Sequence, residues 1–459
     1  MSTFPIRVFT PKRQVIFCVA FFILTIHTTR AESDYFGEEE GYQEDMSSSI
    51  AQQGQQFAMN SGLFAIELYD KLKENQPNEN IVFSPFSIQT CVAMARIGAE
   101  GKTAEELDRG LHLISSDVPT IAESFNNVLE RYVNSSILTI ANHIYVMKGY
   151  HIRKEFQDIV TDKFHAGAEE IDFVENNQAA ATINAWVEAK TNNLIKNLIQ
   201  ANALDASTRL VLLNAIHFKG QWKHKFLKEN TQNEDFYLND SDAVKVPMMN
   251  LKDRFLFADL PELDATVLDM PFKDSDLSML IILPNSRTGL ANLEKKLKNV
   301  AMNEITSKMY STQVIVKFPK FKAEFSVELS GPMKKLGMQR IFSGEAELGR
   351  MLEETEGLSV SKVIHKAYID VNEEGAEAAA ATAMLIRKKR SLMPAPEPKQ
   401  FIADHPFFYV IHASSTNHSV LGDNNSSQNV ILFAGSLSTC FADDDNNRST
   451  LKSVKHDEL

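Results

Sequence analysis

The chain has 459 residues, 44% of them hydrophobic and 23% charged, which is enough apolar material to bury a large core and excludes a disordered polypeptide. At roughly 150 residues per domain, length alone suggests about three domains. Lys and Arg number 47 against 60 acids, a net of −13. Without the first 31 residues, which hold four basic residues and no acid, the balance is 43 against 60, or −17. Such a surface excludes general nucleic-acid and anionic-membrane binding, and three cysteines exclude a disulfide scaffold.

Residues 1–31 read as a secretory signal. Arg7, Lys12 and Arg13 precede the apolar run Val15–Ile26, and Thr29-Arg30-Ala31 supplies small residues for cleavage, giving a mature start at Glu32. The run is short of the ~20 residues needed to span a bilayer, so no membrane span is expected. Cys18 leaves with the signal, and Cys91 and Cys440 remain as a pair that sequence alone neither joins nor separates. Residues 32–49 form an acidic leader with seven acids between Glu32 and Asp45, expected to be disordered.

From Ile50 the pattern is helical, with Phe57, Leu63, Ile66 and Leu72 on an apolar face that ends after Lys73. A second helix starts at a Ser84-Pro85 cap and stops near Gly98, and Lys102–Leu113 forms a third. Ile137–Met147 is rich in strand formers. Asn177–Ile199 reads as one long amphipathic helix carrying Trp186. Arg209–Trp222 is a mostly apolar strand suited to cover on both faces. Short strands are expected from Arg254 to Pro284, then a helix over Gly289–Asn299 and a single strand over Gln313–Ser326. No repeat or Gly/Pro/Ser linker interrupts Gln56–Leu437, so residues 50–441 are expected to form one α+β domain.

Lys362–Asn372 alternates. Val363, His365, Ala367, Ile369 and Val371 share one face, and Lys362, Ile364, Lys366, Tyr368 and Asp370 share the other. Glu373-Glu374-Gly375 ends this strand on a flexible glycine. The run that follows, Ala376-Glu377-Ala378-Ala379-Ala380 on to Ala383, would be helical in isolation. Placed in a sheet it instead sets Ala376, Ala378, Ala380 and Thr382 on one face, small enough to slip between existing strands, while Glu377 stays in water. Beyond it Arg387-Lys388-Lys389-Arg390 precede Ser391. Arg-X-Lys-Arg is a cleavage sequence of furin-like convertases, whose acidic clefts complement guanidinium groups.

Asn80–Ile88, Gly101–Thr103, Asn214–Trp222, Lys317–Phe321, Val371–Ala380 and Ala403–Phe408 resemble serpin segments and occur in serpin order. The resemblance implies a serpin fold of three β-sheets and about nine helices in one domain, with a reactive loop over about residues 373–398. It also implies a hinge at Glu373–Ala380 and inhibition of a serine protease by acylation and loop insertion. The scissile bond is placed at Arg390–Ser391, with Arg387, Lys388 and Lys389 as specificity contacts. Counting from the hinge glycine in the usual serpin manner puts it at Lys389–Arg390. The target is a furin-like or a trypsin-like protease, and no cofactor or metal is expected. The alternative is a non-inhibitory serpin chaperone resident in the endoplasmic reticulum.

Other chemistry finds little support. Ser84 and His217 lie in no Gly-X-Ser-X-Gly elbow, Cys91 and His365 read as core residues, and no metal-ligand spacing occurs. Residues 442–459 form a polar tail ending His456-Asp457-Glu458-Leu459, a retrieval signal for a KDEL-type receptor. With the N-terminal signal it places the protein, expected to be a monomer and partly secreted, in the endoplasmic reticulum and early secretory pathway. Glycosylation sequons occur at Asn134, Asn239, Asn417, Asn424, Asn425 and Asn447, and Ser414–Asn429 reads as a polar insertion before the last strand.

Overall fold

The computed structural model describes residues 52–74, 76–77, 79–354, 358–373, 397–413 and 429–440. The signal, the acidic leader, Glu374–Ala380, Arg387–Ser391, most of the polar insertion with Asn417, Asn424 and Asn425, and the tail with Asn447 and His456–Leu459 lie outside the described residues.

The first helix covers residues 52–74, burying Phe57, Phe64, Leu68 and Leu72. Strand Ile81–Phe83 leads into helix Pro85–Ile97, in which every residue is buried. Its start follows from chemistry: the Ser84 hydroxyl accepts the Ser87 N–H at 3.1 Å, and Pro85 needs no hydrogen-bond acceptor in the first turn. Helices Gly101–Gly110, Val118–Leu129 and Lys154–Phe164 pack around it, and nine α-helices occur among the described residues. Helix Asn176–Lys190 is shorter than its sequence pattern implied. It ends at Thr191 because Asn192 and Asn193 turn left-handed, at φ 51° and 59°, a conformation asparagine tolerates and a helix does not.

A five-stranded sheet has the order Phe321–Glu328, Val360–Val371, Leu210–Phe218, Leu138–Met147, Gly167–Ile171. Leu210–Phe218 is buried at every position, as its apolar run demands. The alternation along Val360–Val371 sorts its side chains as the sequence implied. Val363, Ala367, Ile369 and Val371 face the main core, while Ile364 and Tyr368 face a smaller cluster that includes Ile183 and Val187 of helix Asn176–Lys190.

The other described strands form one nine-stranded ladder, so among the described residues the three sheets expected are found as two. The reason is the 18-residue strand Ala243–Leu260, longer than the short strands foreseen there. Its beginning pairs with Gln232–Tyr237, its end pairs with Ala265–Pro271, and Tyr310–Pro319 runs along its middle, which joins two sheets through one strand. The single strand expected over Gln313–Ser326 is divided. Tyr310–Pro319 belongs to the nine-stranded ladder and Phe321–Glu328 to the five-stranded sheet, the chain changing sheets at Lys320. The last strand survives the insertion that precedes it: Ile431–Leu437 pairs with Phe407–Ala413 and with Ile81–Phe83.

Cys91 and Cys440 are both buried, and no disulfide joins them. Cys91 Sγ lies 3.5 Å from the Leu213 carbonyl and Cys440 Sγ 3.7 Å from that of Lys320, so they do not pair. Among the described residues no helix is long and apolar enough to cross a membrane.

Candidate functional site

The feature that organises the site is a seam in the five-stranded sheet. Val360–Val371 and Leu210–Phe218 run parallel, in register from Val363 opposite Leu212 to Ile369 opposite Phe218. A chain leaving Val371 and folding back between these two strands would be antiparallel to both, replacing one slanted parallel ladder with two straight ones. The chain that leaves Val371 is the alanine-rich segment.

The exit is clamped. The indole N–H of Trp222 donates to the Asn372 carbonyl at 2.9 Å. That indole is held by stacking on Phe272, with centroids 4.6 Å apart and planes 16° off parallel. The Glu373 side chain is 7% exposed, and its carboxylate lies 3.3 Å from the Lys320 ammonium. Burial raises the Glu373 pKa, but its own backbone N–H and Lys320 outweigh that and hold it below the usual carboxylate range. Lys320 sits where the chain changes sheets, so this pair ties the hinge to the corner between the two ladders. The described chain resumes at residue 397 and forms strand Lys399–Ile402, parallel to Tyr310–Pro319 on the edge of the nine-stranded ladder.

Midway along the seam the core is polar. His365 stands opposite Asn214, and its Nδ1 donates to the Asn214 carboxamide oxygen. Its Nε2 accepts the Ser84 backbone N–H at 3.3 Å, which fixes a neutral ring with its proton on Nδ1. The Asn214 amide donates in turn to the Ser87 carbonyl at 3.2 Å and to the Asn142 side chain. Three strands and the central helix thus share one buried network, and burial pushes the His365 pKa down to about 3. The network is complete only while the seam is closed.

Of the candidate reactive-loop, glycosylation and retrieval residues, the structure describes three. Glu373 is in the clamp. Asn134 is exposed. Asn239 is half-buried, with its amide on Asp242 Oδ2 at 2.8 Å and its carbonyl oxygen accepting the Ser241 and Asp242 N–H groups at 2.9 Å. Ser84 is a helix cap and His217 is a buried sheet residue whose pKa burial lowers, so neither belongs to a catalytic constellation. Sequence reasoning did not single out Trp222, Lys320, Asn214 or Asn142. Three of these lie in segments notable for their motif order, but their roles come from contacts made across 53 to 151 positions of chain.

A model of the family described as "Serpin (serine protease inhibitor)" matches residues 59–437. The leukocyte elastase inhibitor of Sus scrofa is 39% identical over 368 residues, covering 78% of this chain and 96% of its own. Alaserpin of Manduca sexta is 38% identical over 348 residues, covering 75% of this chain and 88% of its own. Among solved structures, "Cleaved Serpin 42Da" superposes with a TM-score of 0.75 at 52% identity, covering 85% of this chain and all of that one.

Proposed function

The chain belongs to the serpin family of protease inhibitors, and on that premise we propose that it traps furin-like proprotein convertases as a suicide substrate cut at Arg390–Ser391. The protein is an inhibitor and supplies no catalyst of its own. The protease's serine oxygen bonds to the Arg390 carbonyl carbon, the Arg390–Ser391 peptide bond breaks, and the proton passes to the departing Ser391 amine, leaving an ester-linked acyl-enzyme. Arg387 and Arg390 are the guanidinium groups that an acidic convertase cleft would select.

The observation that carries this reading is the parallel seam running straight into the alanine-rich segment. Fifteen residues from Ala376 to Arg390, at ~3.3 Å each, reach about 50 Å once extended. That is enough to draw a tethered protease along the whole of Val360–Val371. Insertion outruns hydrolysis of the ester only if the side chains entering the seam are small, which Ala376, Ala378 and Ala380 are.

The signal at residues 1–31 and the terminal His456–Leu459 support residence in the early secretory pathway through a retrieval receptor. The retrieval signal equally suits a resident chaperone, which would need neither the hinge nor the basic run. Mass spectrometry of the fragments released by furin, and separately by trypsin, separates these readings. A new N-terminus at Ser391, with furin reactivity lost in Arg387→Ala and trypsin reactivity retained, supports the convertase assignment. A cut after Lys389 moves the bond by one residue, and no cut with either enzyme favours the chaperone.

A further inference from the structure

At the end of the sheet opposite the clamp, two chain segments meet. The first, around residues 149–153, leaves the end of strand Leu138–Met147, and the second, around residues 349–354, precedes strand Val360–Val371. They are stapled by an antiparallel bridge between Ile152 and Leu352, with Arg153 N–H donating to the Met351 carbonyl and Glu353 N–H to that of His151, each at 2.9 Å. This register sets His151 directly across from Glu353. Glu354 folds back onto the same spot: its Oε2 accepts the His151 N–H at 2.7 Å and its Oε1 lies 2.8 Å from His151 Nδ1. One ligand atom from each of His151, Glu353 and Glu354 falls within 4.8 Å of the others, the one such group among the described residues. The ligands are 202 positions apart in the chain, so no spacing betrays them in the sequence.

We propose that His151, Glu353 and Glu354 bind a zinc ion that locks the sheet closed. One imidazole nitrogen with two carboxylates, a fourth position open to water, is a zinc ligand set rather than one for calcium or magnesium, which take oxygen alone. The ion takes the place of the proton shared between His151 Nδ1 and Glu354 Oε1, which is released to solvent. Tetrahedral ligands at ~2.1 Å from zinc stand about 3.4 Å apart, so the 2.8 Å pair opens by about 0.6 Å. Both side chains, 62% and 44% exposed, are free to make that adjustment. Glu170, whose carboxylate holds the Gly149 N–H at 3.2 Å, adds a third negative charge beside the site.

The position gives the ion its consequence. Strand Leu138–Met147 lies on one side of the seam and Val360–Val371 on the other. A strand inserted into the seam separates the two by one further strand spacing, ~4.8 Å. An ion bridging their ends therefore opposes insertion, and zinc shifts the protein from inhibitor toward substrate. That consequence rests on the insertion mechanism proposed above, whereas the binding itself does not.

The test uses untagged, metal-stripped protein and zinc chloride. Calorimetry is expected to show one equivalent bound by the wild type and lost in His151→Ala and in Glu353→Gln. Because these side chains lie on the surface, both variants fold. Zinc is also expected to slow heat-induced conversion to the loop-inserted form in the wild type and not in either variant. Equal zinc uptake by wild type and variants overturns the site, and uptake without slower conversion overturns the lock. If no protease forms a covalent complex while His151-dependent uptake persists, the inhibitory reading fails and the metal site stands.

Discussion

Acidification should loosen the seam, because His365 is held neutral inside it. Burial lowers its pKa to about 3, against about 6.5 in the unfolded or opened chain. A group depressed in the folded state binds its proton only once the structure opens. Its contribution to stability is therefore full above about pH 6.5 and is lost as pH falls from there toward about 3. At about pH 5.5 the loss is RT ln(1 + 10), or about 1.4 kcal/mol, for this one ring. His143, lowered to about 4 by burial, carries the same sign, but it lies on the other face of the sheet against Trp186 and reports global unfolding instead. The rate of conversion from native protein to heat-resistant monomer or polymer, followed on native gels at one fixed temperature, isolates the seam. It should rise about tenfold between about pH 7.5 and pH 5.5. His365→Gln, which keeps an amide donor and acceptor but does not titrate, should remove most of that rise, leaving the share of His217, whose pKa burial also lowers and which stands opposite Tyr368 across the seam. A flat wild-type profile, or an unchanged slope in the variant, would refute the role given to His365.

Other consequences follow from the clamp and the hinge. Glu373→Lys sets two ammonium groups face to face. Removing one partner of a buried pair costs ~3–5 kcal/mol, reduced to about 2–3 here because the Lys320 side chain is 32% exposed, and native gels should show polymers or spontaneously inserted monomer at temperatures the wild type survives. Trp222→Phe keeps the stack on Phe272 but removes the donor to Asn372, and should lower the urea midpoint by the equivalent of about 1 kcal/mol. Ala378→Arg should leave the native fold and the rate of cleavage unchanged while converting the inhibitor into a substrate, read as complete turnover of the loop by catalytic protease.

The parts of the fold legible in the sequence are those fixed locally. Ser84-Pro85 announces its helix because a cap and a proline at the first turn act within four residues. The alternation of Lys362–Asn372 is legible because a strand covered by two different layers repeats every two residues. The seam is not legible in this way. That Val360–Val371 lies parallel to Leu210–Phe218 is a fact of topology, and nothing in either strand encodes its partner. Helix Lys154–Phe164 is hard to read because it buries only Phe156, Val160 and Phe164 among charged and polar residues, whereas Val118–Leu129 carries a legible signal in its Asp117 cap and its apolar face of Ile121, Phe125, Val128 and Leu129. The end of helix Asn176–Lys190 was overrun because Asn192 and Asn193 leave the helix through backbone angles and not through a glycine or proline. The hinge could be read from its small side chains, whereas the clamp that holds it depends on Lys320 and Trp222, brought in from distant corners of the fold.

The most direct measurement is a denaturing gel of the purified protein after incubation with furin. A band at the summed mass of serpin and protease, stable to boiling and absent for Arg390→Ala, is the predicted result. Quantitative cleavage of the loop with furin left fully active and no such band would contradict trapping by acylation and insertion.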